Sequence, residues 1–218
     1  MIRSLSVAIP LCCVAFTALA QPASNPPERE YYTYVGLQAN QLLRALFSFG
    51  TPPSVVNPYM LTIATNNRVT GIGFNTAIGY SLLQSRNGDN FTLVDVTTGD
   101  FSWRMGVEKK MFITDRWIWS IAGDVVYHRL KETSRGAAPN TNPVTSQTTL
   151  TEGGLGPRCT LNFVITDRIL LGTEASFYMM FGKQTQILDN TGLPPIPDRN
   201  FHNFVPSVPA ALFLLVRF

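Results

Sequence analysis

The sequence predicts an all-β fold, namely an eight-stranded antiparallel up-and-down β-barrel that crosses a membrane. Three observations lead to this prediction. From residue 31 onward the chain consists of long segments in which apolar and polar residues alternate. Short turns and longer polar loops connect these segments in strict alternation. The segments are also longer than the roughly five or six residues that are typical of strands in soluble sheets.

The composition is apolar for a soluble secreted domain. Of the 218 residues, 45% are hydrophobic and 14% are charged. The densest apolar run after the N-terminal region, 210–216, has seven residues, whereas a transmembrane helix needs roughly 20. An apolar chain without helical spans leaves two classes of fold, a β-sandwich with a large core or a membrane β-barrel.

The first twenty residues predict a secretory signal peptide. Arg3 gives the short basic start, 7–16 is the apolar stretch, and a small-x-small cleavage pattern ends at Ala20. We expect a cleaved signal peptide over 1–20 and a flexible periplasmic leader over 21–30, since that segment is rich in proline and polar residues. The barrel is expected to comprise 31–218.

Cysteine content and charge exclude several kinds of partner. Cys12 and Cys13 lie inside the apolar signal stretch without the small residues that lipidation requires, so Cys159 is the only cysteine expected after cleavage. One thiol can form no intramolecular disulfide and is too few for a zinc site. Without Arg3 the chain has 16 basic and 14 acidic residues, a net charge of +2. We therefore expect no nucleic acid partner, no metal and no cofactor.

Turn and loop spacing sets the strand count. Tight turns are predicted at 66–68, 113–116 and 165–168, the last two within a repeated Ile-Thr-Asp-Arg motif in which Asp is expected to form the turn. Longer loops are predicted at 50–57, 85–99, 131–147 and 186–200. The predicted strands are 31–48, 58–65, 69–84, 100–113, 117–130, 149–165, 169–185 and 202–218. Short turns then lie on the periplasmic side and long loops outside.

Strand alternation assigns the two faces of the sheet. Aromatic residues gather near the strand ends, as in the interfacial girdles of membrane barrels. They include Trp117 and Phe163 near the turns, and Phe101 and Tyr127 towards the loops. If the apolar face meets lipid, the other face points into the lumen and forms a predicted polar network. Its members are Arg44, Arg104, Glu108, Lys110, Asp124, His128, Glu152, Arg158 and Glu174.

Apart from His128, this predicted network holds four residues of each charge. An eight-stranded barrel encloses an interior only just wide enough for side chains to fill, so we expect a paired polar core and not an open channel. Inward glycines, among them Gly71 and Gly106, are expected to make room for the long side chains.

No catalytic residue is predicted. His128 and Asp124 share the inward face of one strand, but four residues along a strand span roughly 13 Å, so they could meet only through cross-strand neighbours. A glycosidase-type pair of Glu108 with Glu152 or Glu174 is also excluded, because an enclosed lumen admits no polysaccharide. Gly71-Ile72-Gly73 is expected within a strand, with no following helix to make a phosphate loop.

The C-terminal strand carries a pattern of its own. Leu212, Leu214 and Val216 alternate towards Phe218, which resembles the terminal aromatic strand that the barrel assembly machinery recognises. With the eight-strand count, 31–218 resembles the small OmpX and OmpA-transmembrane type of barrel. The resemblance implies the outer membrane of a Gram-negative bacterium, contact with outer-membrane lipid, and a monomer.

The leading hypothesis for function is a non-enzymatic barrel with a structural or adhesin-like role, which uses four external loops to contact a surface or another protein. Two alternatives remain open: a pore for small solutes or a barrel for a lipid-like ligand, and an enzyme that modifies lipid at the outer leaflet. The chain lacks the His-x-Ser motif of small-barrel lipid A deacylases, since His128 precedes Arg129-Leu130.

Overall fold

The computed structural model describes residues 30–39, 59–88, 93–137, 144–189, 196–207 and 212–218. Within these ranges, no helix has the length and apolar character needed to cross a membrane. The regular elements are β1 (Tyr31–Gln38), β2 (Leu61–Asn67), β3 (Ile72–Gly88), β4 (Leu93–Phe112), β5 (Trp117–Ala137), β6 (Val144–Val164), β7 (Ile169–Asp189), β8 (Arg199–Ser207) and β9 (Leu212–Arg217). The predicted signal peptide lies outside the described residues.

The strands form one closed antiparallel ring. Each strand from β1 to β7 pairs with the next one along the chain. β7 then pairs with β8 through 176–184 and with β9 through 169–173, and β9 pairs with β1. Because β8 and β9 follow one another along the same edge of β7, they share one position in the ring. The predicted all-β, eight-stranded up-and-down barrel is therefore confirmed, with its last strand divided in two.

Strands β4 to β7 are 20 or 21 residues long and extend well past the predicted strand ends. The loops predicted over 85–99, 131–147 and 186–200 were therefore too long. In these extensions polar and apolar residues no longer separate onto two faces, as in the Thr-rich run 145–151. Apolar alternation disappears there while the backbone ladder continues, so the pattern that predicts strands could not detect them. The predicted first strand, 31–48, lies outside the described residues beyond Ala39.

The first tight turn is set by an asparagine and a glycine. Asn67 Oδ1 accepts hydrogen bonds from the amides of Val69 (2.9 Å) and Thr70 (3.0 Å), which turns the chain after β2. Gly71 has a φ of 69° and directly precedes β3. The prediction of Gly71 as an inward strand residue was wrong, because this left-handed conformation belongs to the turn.

Replacing Gly71 with Ala is expected to lower the free energy of unfolding by at least about 1–2 kcal/mol, since side chains disfavour this conformation. The added Cβ would also collide with the backbone carbonyl oxygen of Lys110. Gly123→Ala is the matched control, because a Cβ at Gly123 meets nothing within 4 Å. Equal unfolding midpoints for the two variants in denaturant titrations of the detergent-folded protein would contradict this account.

The two Ile-Thr-Asp-Arg turns are held by threonine. Thr114 Oγ1 accepts hydrogen bonds from the amides of Arg116 (3.3 Å) and Trp117 (3.1 Å). Thr166 Oγ1 accepts the equivalent bonds from Arg168 (3.3 Å) and Ile169 (3.1 Å). The motif does mark the turns, but the hydroxyl makes the bonds that were predicted for Asp.

Apolar residues close the lumen at the turn end of the barrel. Ile118 and Leu170 each follow a tight turn, and both are almost fully buried. They pack with Tyr34, Phe213 and Leu215 in one buried cluster. This arrangement leaves the polar part of the lumen above an apolar layer.

Candidate functional site

The middle of the lumen is crossed by a buried ion pair. Arg104 on β4 donates from both terminal nitrogens to the two carboxylate oxygens of Glu174 on β7, at 2.7 and 2.6 Å. β7 lies three ring positions from β4, so the pair spans the interior. Arg104 is only 1% exposed, and a bidentate geometry of this kind is the strongest form of a charged hydrogen bond.

A second arginine connects further carboxylates. Arg158 Nε lies 2.7 Å from Asp124 Oδ2, and its Nη2 lies 3.3 Å from Glu108 Oε2. Lys110 Nζ lies 3.3 Å from the other oxygen of Glu108. We call these six buried residues the lumen network: Arg104, Glu108, Lys110, Asp124, Arg158 and Glu174. It contains three cations and three carboxylates, so its charges cancel.

Aromatic and amide groups fix the lumen network in place. Tyr178 donates its hydroxyl proton to Asp124 (3.0 Å), and Asn75 donates to the same carboxylate (3.3 Å). Lys110 Nζ lies 3.3 Å above the ring centroid of Tyr34, which supplies a cation–π contact. Two of these contacts bring residues of β3 and β7 to Asp124 on β5. The network is therefore held from several sides of the ring.

Gly106 shows why the lumen needs a small residue at this height. A Cβ at Gly106 would overlap the carboxylate of Asp124 and the backbone of Gly123 on the neighbouring strand. Its lack of a side chain leaves the space that the Asp124 carboxylate occupies beside Arg158.

His128 lies above the lumen network, between two carboxylates. Its Nδ1 lies 2.7 Å from Glu152 Oε1, and its Nε2 lies 2.9 Å from Asp100 Oδ1. A carboxylate only accepts hydrogen bonds, and a neutral imidazole has a single N–H, so only the protonated ring satisfies both contacts. Asp124 is not a hydrogen-bond partner of His128. This agrees with the roughly 13 Å that four residues span along a strand.

The sequence prediction missed Asp100. It stands at the first position of a predicted strand, next to a predicted loop, and was therefore left out of the lumen. Its parity along β4 matches that of Arg104 and Glu108, which face inward. Had the inward series of β4 been continued by two residues towards the loop, from Ser102 to Asp100, Asp100 would have been predicted to face the lumen.

A cavity opens between the lumen network and the loop side of the barrel. It has a volume of about 310 Å³ and includes His128 with both of its carboxylate partners. We call this cavity the cup. Its lining residues are Tyr59, Asp100, Ser102, Val126, His128, Glu152, Glu174, Ser176, Tyr178, Met180, Val205, Pro206 and Ser207.

The outer surface shows the opposite chemistry to the lumen. Val107 is 60% exposed and Leu155 is 57% exposed, although both lie mid-strand. We call this exposed outward-facing set the apolar belt. Its members include Leu37, Ile63, Ile72, Phe74, Ile78, Val107, Ile121, Val125, Leu155, Phe177 and Leu214. A soluble protein rarely exposes a continuous apolar surface of this extent.

The apolar belt has defined limits on β5. It begins at Trp117, whose ring lies 5.0 Å from that of Phe163. It ends at Tyr127, which lies 6.3 Å from Phe101, and the next outward residue is the exposed Arg129. The stretch 117–127 matches the roughly 9 to 11 residues of a tilted membrane strand. Lys109, which pairs with Ile72 across β4 and β3, is an exposed, outward-facing charge.

Above the apolar belt, strands β3 to β7 continue as a sheet of mixed polar and apolar residues, which we call the protruding sheet. Two exposed ion pairs lie on this side of the barrel, Arg86 with Asp95 (3.2 Å) and Lys183 with Asp198 (2.6 Å). Hydrogen bonding to Lys183 lowers the pKa of Asp198. On β5 the extension covers about ten residues, roughly 30 Å at strand spacing.

The structure places eight of the nine predicted lumen residues on the inward face, and Arg44 lies outside the described residues. In the C-terminal strand, Leu214 and Phe218 are exposed, Leu212 and Val216 are half-buried, and the residues between them, Phe213 and Leu215, are buried. Among the described residues, no group of three or more metal-ligating side chains could hold a metal ion.

No protein-family model matches the chain, and no curated protein sequence matches it. Among solved structures, a crystal structure of a major outer membrane protein from Thermus thermophilus is similar over 86% of this chain and 98% of that chain. The identity is 10% and the TM-score 0.43. The fold itself is established by the strand pairing described above.

Proposed function

We propose that this chain is an outer-membrane barrel whose lumen is closed to solutes and whose external part makes structural or adhesive contacts. The observation that carries the proposal is the combination of an exposed apolar belt with a buried, charge-balanced lumen network. Apolar side chains outside and paired charges inside are what a small membrane barrel requires. A water-soluble sandwich would bury the first set and expose the second.

Closure of the lumen rests on two layers. The Arg104–Glu174 pair spans the middle of the ring, and the cluster around Ile118 and Leu170 fills the turn end. A permeating ion would have to separate buried ion pairs and then cross apolar side chains. We therefore propose that the protein does not conduct.

A non-enzymatic role fits the environment of the one central histidine. Both ring nitrogens of His128 face carboxylate oxygens. A ring that is protonated on both nitrogens has no lone pair with which to act as a general base. This geometry supports a structural barrel over a lipid-modifying enzyme.

The protruding sheet is the surface that we propose for external contacts. It carries the strand ends at Gly88, Ala137 and Asp189 beyond the apolar belt, and we propose that these ends lie in the aqueous phase. Its side chains include many threonines and glutamines and two exposed ion pairs, which suit a hydrated surface. We propose that this part meets a surface or another protein outside the cell.

Conductance in planar lipid bilayers tests the proposed function. We expect no channel steps from the purified, detergent-folded protein, although its electrophoretic mobility should shift on boiling as in other membrane barrels. The matched control is the double substitution R104A/E174A, which removes the pair that spans the lumen. Conductance by this variant would show that the barrel inserts into the bilayer under the conditions of the assay. Reproducible channels from the unsubstituted protein would overturn the closed-lumen proposal.

We also propose that the barrel assembly machinery recognises the C-terminal strand. Phe218→Ala is expected to lower the amount of folded protein in the outer membrane several-fold, because the exposed terminal ring would be missing from the recognised pattern. Phe177→Ala is the control, since Phe177 is a belt residue of similar exposure. Quantitative immunoblots of membrane fractions would measure both, and an equal loss in the two variants would contradict a specific recognition role.

A further inference from the structure

The cup has the size and position of a small-molecule site. Its volume of about 310 Å³ falls at the lower end of the range for ligand pockets, roughly 300–1,000 Å³. The lumen network lies beneath it, and the loop side of the barrel lies above it. The lumen network therefore separates the cup from the turn end of the barrel.

The charges around the cup do not balance. His128 lies between Asp100 and Glu152. Within the described part of the chain, neither carboxylate makes an ion pair with any other residue. A protonated imidazole between two carboxylates leaves one negative charge. Glu174 also lines the cup, but its bidentate contact with Arg104 neutralises it. Counted over the described residues, the lining of the cup therefore has a net charge of about −1 and favours a monovalent cation.

A buried hydroxyl provides a second, independent indication of a ligand. Ser102 is 2% exposed, lines the cup, and stands directly across the strand pair from His128. Its Oγ has no hydrogen-bond partner in the described part of the chain. Buried hydroxyls are normally paired, because an unpaired one loses its hydration without compensation. Ser102 Oγ can accept a hydrogen bond from a bound ammonium group.

One part of the cup wall is apolar. Val126, Met180 and Val205 form it, together with the rings of Tyr59 and Tyr178. A small hydrated ion would leave these side chains without a partner. The cup thus combines an excess negative charge and the unpaired hydroxyl of Ser102 with a partly apolar wall.

We infer that the cup binds a small organic cation, a primary ammonium group carried on an apolar body. The ammonium would donate hydrogen bonds to Asp100, Glu152 and Ser102, and its apolar part would pack against Val126 and Met180. This binding site goes beyond the proposed structural role and does not depend on what the protruding sheet contacts.

Benzylammonium is a suitable probe, with benzyl alcohol as its neutral match. The full folded protein would be titrated in nonionic detergent micelles, because an uncharged micelle does not attract benzylammonium electrostatically. Amide chemical shifts of Ser102 and His128 would report binding in the cup separately from partition into detergent. We expect benzylammonium to bind about ten-fold or more tightly than benzyl alcohol, as hydrogen bonds to charged groups allow.

Substitutions test whether Asp100, Glu152 and Ser102 bind the ammonium group. The double substitution D100N/E152Q is expected to weaken benzylammonium binding about ten-fold or more, and Ser102→Val should weaken it by a smaller factor. Glu132→Gln is the matched control, because Glu132 is an acidic residue of the same strand as His128 that does not line the cup. It should bind benzylammonium like the unsubstituted protein.

Three outcomes would overturn the inference: equal affinity of the unsubstituted protein for benzylammonium and benzyl alcohol, no shifts in the cup with either compound, or unchanged affinity in D100N/E152Q. The first two need no substitution, so the test holds even if a variant fails to fold. Channel activity, which would refute the closed lumen, is measured separately and does not affect this result.

Discussion

Glu174→Ala is expected to lower the free energy of unfolding by about 3–5 kcal/mol, because it leaves Arg104 buried without its partner. The two side chains are 1% and 5% exposed, so solvent cannot replace the lost carboxylate. Urea unfolding of the protein in lipid vesicles, followed by tryptophan fluorescence, would measure the change.

Two further variants separate the loss of a partner from the loss of a side chain. Replacing both residues, as in R104M/E174M, should recover much of the stability, since apolar residues of similar volume often substitute for a buried ion pair without cost. Asp198→Ala breaks the exposed pair with Lys183 and should change stability little. A loss in Asp198→Ala as large as that in Glu174→Ala would contradict the importance assigned to the lumen network.

Leu155→Arg is expected to cost about 2–4 kcal/mol in a bilayer, the range for a basic residue at mid-depth on the lipid face of a barrel. Leu155 lies on β6 between the outward-facing Val125 and Met179. The same vesicle-unfolding assay would measure it.

Gln147→Arg is the control for this prediction, because Gln147 has the same parity on β6 but lies in the protruding sheet. There the guanidinium stays in water, so we expect a change within about 0.5 kcal/mol. If the belt instead faced water, both substitutions would have the same small effect. That result would exclude a membrane-facing belt.

The sequence could predict what depends on strand period alone. On 117–127 every second residue except Gly123 is large and apolar, while Ser120, Ala122 and Asp124 alternate with them, so the sequence indicates both the strand and its two faces. The protruding half of the strands has no such contrast. Gln147 and Thr149 on one face are as polar as Ser146 and Thr148 on the other, and these positions were assigned to a loop or a strand end.

The pairing of lumen residues could not be predicted from the sequence. Arg104 and Glu174 stand 70 positions apart, and their meeting depends on the register of three intervening strand pairs. The alternation along each strand indicates that both side chains point inward, but not that they lie at the same level along the barrel axis. The same limit applies to His128, whose partners are Glu152 and Asp100 and not the nearer Asp124.

Oxygen accessibility of spin labels along β5 measures directly whether the apolar belt faces lipid and the lumen is filled. Single cysteines at positions 119 to 126, in a background with Cys159→Ser, would be labelled in the protein inserted into lipid bilayers. If the belt faces lipid, labels at Ile121, Gly123 and Val125 should be highly accessible to oxygen and poorly accessible to a water-soluble nickel complex. Labels at Ser120, Ala122 and Asp124 should be shielded from both. High nickel accessibility at the first three positions would contradict a lipid-facing belt around a filled lumen.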